Sequence, residues 1–156
     1  REYIHTFDVV GEMLHLVNKY DIPIKLLELE ITETTDSEGV SDVVQKMKDA
    51  GFTMLMDDFG SGYSSLNMLQ KTQFDVLKID RGFLSEFMES SRGRKIISHT
   101  ISMSRDIGLD IIAEGVETPE QASFLSDCGC DSAQGFYYSK PITQEEFDKM
   151  LVEVNK

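Results

Sequence analysis

Five short apolar runs, Leu26 to Ile31, Phe52 to Met56, Val76 to Ile79, Asp110 to Ala113 and Ser132 to Gly135, recur along the chain with a helical pattern after each. Continuous apolar runs of this kind suit strands covered on both faces, and strands separated by helices pair in parallel. The intervening segment Asp36 to Ala50 places Val40, Val43, Val44 and Met47 at helical spacing, behind Asp36 or Ser37 as a cap and ahead of a closing Gly51. Tyr63 to Gln70, Arg94 to Ile107 with Gly108 behind it, Pro119 to Cys128 with proline in its first turn, and Thr143 to Val154 read the same way. A leading helix covers about Phe7 to Tyr20. One helix followed by five strand-helix units leaves two α/β architectures. An open doubly wound sheet is complete with five strands, whereas a barrel of eight units needs roughly 250 residues and would lack its first part here.

Both architectures collect their chemistry at the carboxyl ends of the strands. Glu30 and Glu33 follow the first run, Asp57 and Asp58 the second, Lys78 and Asp80 end the third, Glu114 and Glu117 follow the fourth, and Gln134 ends the fifth. One acid in such a place is ordinarily solvated, or favoured by a helix N-terminus. Acids at one edge of consecutive apolar strands are a different matter, because a ring of like charge opposes folding unless something neutralises it. Asp57 and Asp58 are the sharpest case. Neighbours on a strand point to opposite faces, so the two carboxylates converge only if the strand ends there and Gly60 and Gly62 turn the chain. A divalent cation is therefore expected, magnesium or manganese rather than zinc, since the ligands are oxygens and no histidine joins them.

At 156 residues the chain is one domain by length, and its net charge of -13 opposes binding to nucleic-acid polymers or to an anionic membrane surface. It opens at Arg1 without methionine or signal peptide and has no apolar run near the roughly 20 residues of a membrane span, so it reads as an excised cytoplasmic piece. Cys128 and Cys130 form a C-x-C too tight for an ordinary disulfide and are expected as buried free thiols in a reducing compartment. His5, His15 and His99 fall in helical segments as ordinary residues, and the methionines fill apolar positions. The run from Gly60 to Ser65 imitates a dinucleotide fingerprint, but the third glycine is Ser65 and a pyrophosphate there would face two aspartates.

Five ordered motifs carry a resemblance: Leu27 to Glu33, Asp57 to Leu66, Lys78 to Arg81, Ala113 to Thr118 and Gln134 to Pro141. Together they resemble the EAL domain, the cyclic di-GMP phosphodiesterase family. The resemblance runs from about Leu26 to the end, with Ser61 where the family often has threonine. It implies a TIM-like barrel that hydrolyses cyclic di-GMP to linear pGpG with two magnesium or manganese ions. By motif position Glu30 would bind the first ion, Asp57 would bridge both and Asp58 would bind the second. Lys78 would orient the attacking water or offset developing charge. Glu114 would be the base or would position water, Glu117 and Asp80 would support the site, Gln134 would face substrate, and Glu33 would hold the loop after Asp58. Two ions can activate water and stabilise both oxygens of an in-line displacement.

The chain also departs from the family. The Glu-Ala-Leu motif and a metal-binding asparagine should precede Glu30, and neither is present. The resemblance therefore implies that residues 1–156 are the C-terminal portion of one EAL domain, a partial barrel of about five strand-helix units with its N-terminal part missing and inactive alone. In the parent, a sensory or GGDEF-type domain is expected upstream, and an open barrel wall is expected to homodimerise or otherwise self-associate. The alternative is a degenerate, non-catalytic module that only binds cyclic di-GMP or a protein partner.

Overall fold

The computed structural model describes residues 8–32, 39–62 and 65–154. Helix α1 (Val9–Tyr20) is capped by the Asp8 carboxylate, which accepts from the Gly11 amide, and ends at Asp21 in the left-handed region. A 3-10 turn at Ile24–Leu26 behind Pro23 delays β1, which spans Glu28–Thr32 instead of starting at Leu26 as expected. Helix α2 (Val40–Asp49) starts later than expected, behind Gly39 at φ 85°, and the proposed caps Asp36 and Ser37 lie outside the described residues. Then come β2 (Thr53–Phe59), α3 (Ser65–Lys71), β3 (Val76–Ile79), α4 (Arg81–Met88) and α5 (Ser91–Asp106). The chain continues through β4 (Asp110–Ala113), α6 (Pro119–Asp127), β5 (Ser132–Ala133) and α7 (Gln144–Val154).

The sequence reading missed α4 entirely. Gly82 in its first turn lowers the intrinsic helix propensity, and the Asp80 side chain compensates by accepting from the Gly82 and Phe83 amides. Helix α5 also begins earlier than expected, because the Ser90 hydroxyl accepts from the Gly93 amide. Thr118 and Gln121 close a reciprocal capping box on α6.

The five strands lie in the order β1-β2-β3-β4-β5, each parallel to its neighbour. A doubly wound sheet reverses its strand order at a switch point, so this unreversed succession is the wall of a barrel. Residues in register share a face and positions two apart repeat it. Glu30 pairs with Leu55, Leu55 with Val76, and Lys78 with Ile112. One face thus carries Glu30, Asp57 and Lys78. The other carries Met54, Met56, Leu77, Ile79, Ile111 and Ala113, which pack into the two apolar clusters beneath the helices.

Acids at the opposite, amino-terminal edge secure the strand starts. Asp75 accepts from the Met54 amide at 2.9 Å and pairs with Lys48 at 2.7 Å, and Asp131 accepts from the Ile111 amide at 2.9 Å. The two cysteines are free but half-buried rather than enclosed. Burial pushes the Cys130 thiol above its ordinary pKa. His15 and His99 are exposed on α1 and α5, and His5 lies outside the described residues. Large apolar side chains remain exposed on α7, among them Phe147, Met150 and Leu151. No helix among the described residues is long and apolar enough to cross a membrane.

Two outcomes follow from this packing. Ile101 is fully buried in the cluster around Ile97 and Ile111, so Ile101→Ala is expected to cost about 2–5 kcal/mol in urea denaturation. Glu146 accepts from the Thr143 amide and hydroxyl, which hold its carboxyl below the ordinary range. A depressed folded pKa contributes stability above the unfolded value and loses it as pH falls through the folded one. The first turn of α7 is therefore expected to loosen in acid, read from backbone carbon shifts of residues 144–147, and Glu146→Gln is expected to flatten that dependence.

Candidate functional site

The β2 strand does not stop at Asp57. It runs on to Phe59, and its pairing with β3 shifts between Met56 and Phe59, so that β2 spends one extra residue where β3 spends none. The extra residue is a β-bulge, and Asp58 takes φ 58° within it. An aspartate tolerates that left-handed conformation better than most residues, and here the Asp58 amide donates to its neighbour's Oδ1 at 2.9 Å. The glycines were expected to turn the chain and bring the two carboxylates together. It is the bulge that takes Asp58 out of simple alternation with Asp57.

Lys78 is the centre of the site. It is 7% exposed, and its Nζ lies 2.7 Å from Glu30 Oε1, 3.0 Å from Asp57 Oδ1 and 2.8 Å from Glu114 Oε1. Gln134 Nε2 donates to the same Glu114 oxygen at 2.7 Å. Four successive strands or their ends thereby meet at one ammonium, with β5 joined through Gln134. Burial alone would lower the Lys78 pKa, but the hydrogen bonds to Glu114, Glu30 and Asp57 outweigh it and hold the group above the ordinary lysine value. Its three carboxylate partners thus favour the charged form of Lys78.

One cation does not balance the cluster. Glu30, Asp57, Asp58 and Glu114 supply four carboxylates against one ammonium, an excess of three negative charges. Burial raises the Asp58 pKa, and repulsion from Asp57 and Asp80 raises it further, against the attraction of Lys78. Among the described residues no group of three or more His, Cys, Asp or Glu closes on a point of its own for a metal ion. Three of the carboxylates instead close on Lys78. The donor set is nonetheless all oxygen with uncompensated negative charge, which fits a hard divalent cation in kind.

The remaining candidates stand around this centre. Asp80 spends its Oδ1 on the first turn of α4. Glu117 pairs with Arg81 at 2.8 Å, on a surface where both are well exposed. Glu33 lies outside the described residues, as do Tyr63 and Ser64. Arg81 closes the motif that begins at Lys78 but was given no role in the sequence reading, although that place put it at the same edge. A cavity of about 530 Å³ opens beside Glu114, Glu117, Gln134 and Arg81, with Phe136 and Phe147 on its apolar side.

Comparison with known proteins agrees with this geometry. Residues 4–141 match the EAL domain family. The bifunctional diguanylate cyclase/cyclic di-GMP phosphodiesterase MucR of Pseudomonas aeruginosa is 40% identical over 141 residues, covering 88% of this chain and 21% of MucR. The solved structure of the PaMucR phosphodiesterase in complex with c-di-GMP superimposes with a TM-score of 0.83 at 33% identity, over 92% of this chain and 60% of that one. Klebsiella pneumoniae BlrP1, in a calcium/cyclic di-GMP complex, gives a TM-score of 0.81 at 30% identity, over 88% of this chain and 36% of that one. The chain thus spans about a fifth of the length of a curated relative such as MucR. With five motifs in order, a parallel barrel wall and a matching family pattern over most of its length, the chain belongs to the EAL domain family.

Proposed function

We propose that this chain supplies the carboxyl-edge half of a cyclic di-GMP phosphodiesterase site, in a longer protein that hydrolyses one phosphodiester bond to give linear pGpG. The observation that carries the reading is the convergence of Glu30, Asp57 and Glu114 on Lys78, with Gln134 fixing Glu114. Relatives named as cyclic di-GMP phosphodiesterases and neighbours solved with that nucleotide support the substrate.

Each residue then has a task that its surroundings suit. Glu30, Asp57 and Asp58 hold a divalent cation, magnesium or manganese, for which their hard oxygens and excess charge are fitted. That cation supplies activation of water and stabilisation of charge at phosphorus when bound. Lys78 stays protonated and offsets the negative charge that grows on the phosphoryl oxygens. Glu114, oriented by Lys78 and Gln134, receives the proton of the attacking water. Water adds to phosphorus, the bond to one 3′ oxygen breaks, and a proton returns to that oxygen, leaving a 5′ phosphate and a 3′ hydroxyl. Asp80 and Glu117 support the site through α4 and Arg81, and Glu33 holds the loop behind Asp58.

A diguanylate cyclase-type domain elsewhere in the protein, as in MucR, fits a chain that covers so little of its relatives. The free thiols suit a reducing, cytoplasmic setting. The exposed apolar side chains of α7, together with edge strands β1 and β5, suit association with a second copy or with more of the barrel.

The test uses the whole protein that carries this chain, with cyclic di-GMP, magnesium or manganese, and chromatography of the products. Turnover to pGpG that disappears on chelation is expected, and Asp57→Asn is expected to need a far higher metal concentration. Lys78→Met is expected to lower kcat by about 100- to 1000-fold with little change in KM. Binding of cyclic di-GMP without turnover under either metal would defeat the enzymatic reading and leave a sensing module in its place.

A further inference from the structure

Helix α4 touches two site loops at once, and in each it does so at a glycine. Gly60, two residues after Asp58, sits at φ 97°, and a Cβ there would run into the Phe83 ring. Gly115, directly after Glu114, sits at φ 66°, and a Cβ there would run into the Arg81 stem. In both places the left-handed backbone excludes most side chains and the neighbour from α4 fills the space left. Phe83 is anchored in turn, edge to face on Phe59 at 6.0 Å and stacked on Phe87 at 4.4 Å. Arg81 extends past Gly115 to pair with Glu117 at 2.8 Å.

The helix is itself tied to the sheet between these loops. The Asp80 amide donates to Phe59 O at 3.2 Å, and the Asp80 carboxylate caps the first turn that presents Arg81 and Phe83. The Glu114 amide donates to Ile79 O at 3.0 Å, one residue before that cap. The loop after Gly115 is stiff beyond the contact. Val116 is fully buried and exchanges hydrogen bonds with Gln134 O and the Tyr137 amide, while Gln121 accepts from the Glu117 and Thr118 amides. A push on Gly115 therefore passes to Glu114 more easily than into the rest of the loop.

We infer that α4 is a bracket that sets the spacing between the Asp57-Asp58 carboxylates and Glu114, with Phe83 and Arg81 as its two positioning residues. The exposed Arg81–Glu117 pair adds little to stability by itself. Its value is to hold the Arg81 stem against Gly115. The inference rests on the proposed phosphodiesterase reading for its effect on turnover, but its structural content stands apart from it.

The experiment therefore reads both in the whole protein, using Arg81→Met, Arg81→Lys and Phe83→Leu. Amide exchange without nucleotide is expected to rise at Gly115 and Val116 in Arg81→Met, and at Gly60 and Ser61 in Phe83→Leu, while Arg81→Lys stays near the parent. With cyclic di-GMP, Arg81→Met is expected to lower kcat about 10-fold at unchanged KM and unchanged Tm, with Arg81→Lys recovering most of the loss, since small misplacements of reacting groups are costly. Phe83→Leu is expected to raise the manganese concentration needed for half-maximal rate. Unchanged exchange at both loops overturns the bracket whether or not the protein turns over. Altered exchange in a parent that does not hydrolyse the nucleotide upholds the bracket and removes the phosphodiesterase reading alone. Altered exchange with kcat and metal requirement within twofold of the parent overturns the positioning role.

Discussion

An ammonium group at the carboxyl edge of the sheet, almost without access to water, has to be paid for by its neighbours. Lys78 meets that demand with Glu30, Asp57 and Glu114, one carboxylate from each of three other strand ends. Taking a lysine out of water costs several kcal/mol unless its three donors are satisfied, and here all three are. The register of β1 to β4 is constrained by the same requirement. A slip of one residue on any of these strands would turn its acid or its lysine onto the helix-covered face, where Met54, Met56, Leu77 and Ile111 pack.

The bulge at Asp58 is the second consequence of building a charged edge on an apolar sheet. Regular alternation would send Asp57 and Asp58 to opposite faces, one of them into the apolar layer. An extra residue in β2 and a left-handed Asp58 avoid that, at the expense of one strand hydrogen-bonding position and of two close carboxylates. The raised Asp58 pKa expresses the same tension, as burial and the neighbouring acids make its ionised form harder to hold. Local strain and unfavourable charge thus gather where the chemistry is proposed, and the bracket of α4 lies directly behind them.

Much of this was legible beforehand because the relevant signals are local. The apolar runs of β3 and β4 appear at the expected residues, and Pro119 marks α6 within a residue of its bounds. The polar ends of the strands were also readable, since each lies in the last residues of an apolar run or a few residues beyond it. Helix α4 was not, because its stability comes from Asp80 as a cap and from Phe83 and Leu84 packing inward, against a glycine in its first turn. The cysteines were expected to be enclosed and are half-buried, in a turn where Asp127, Gly129 and Asp131 flank them.

Which residue types stand at the strand ends, and in what order, follows from the sequence alone, because a strand, its turn and the next helix are encoded within a few residues of one another. So does the prevalence of carboxylates over histidine at that edge. Which of those residues meet is decided by the tertiary structure. Lys78, Glu30, Asp57, Glu114 and Gln134 come from separate units, and their convergence depends on strand order, register and a one-residue bulge. Arg81 and Phe83 acquire their place in the same way, from a helix whose two contacts lie in loops far apart along the chain. Distances between such groups are set by the accumulated geometry of the sheet, which no local pattern carries.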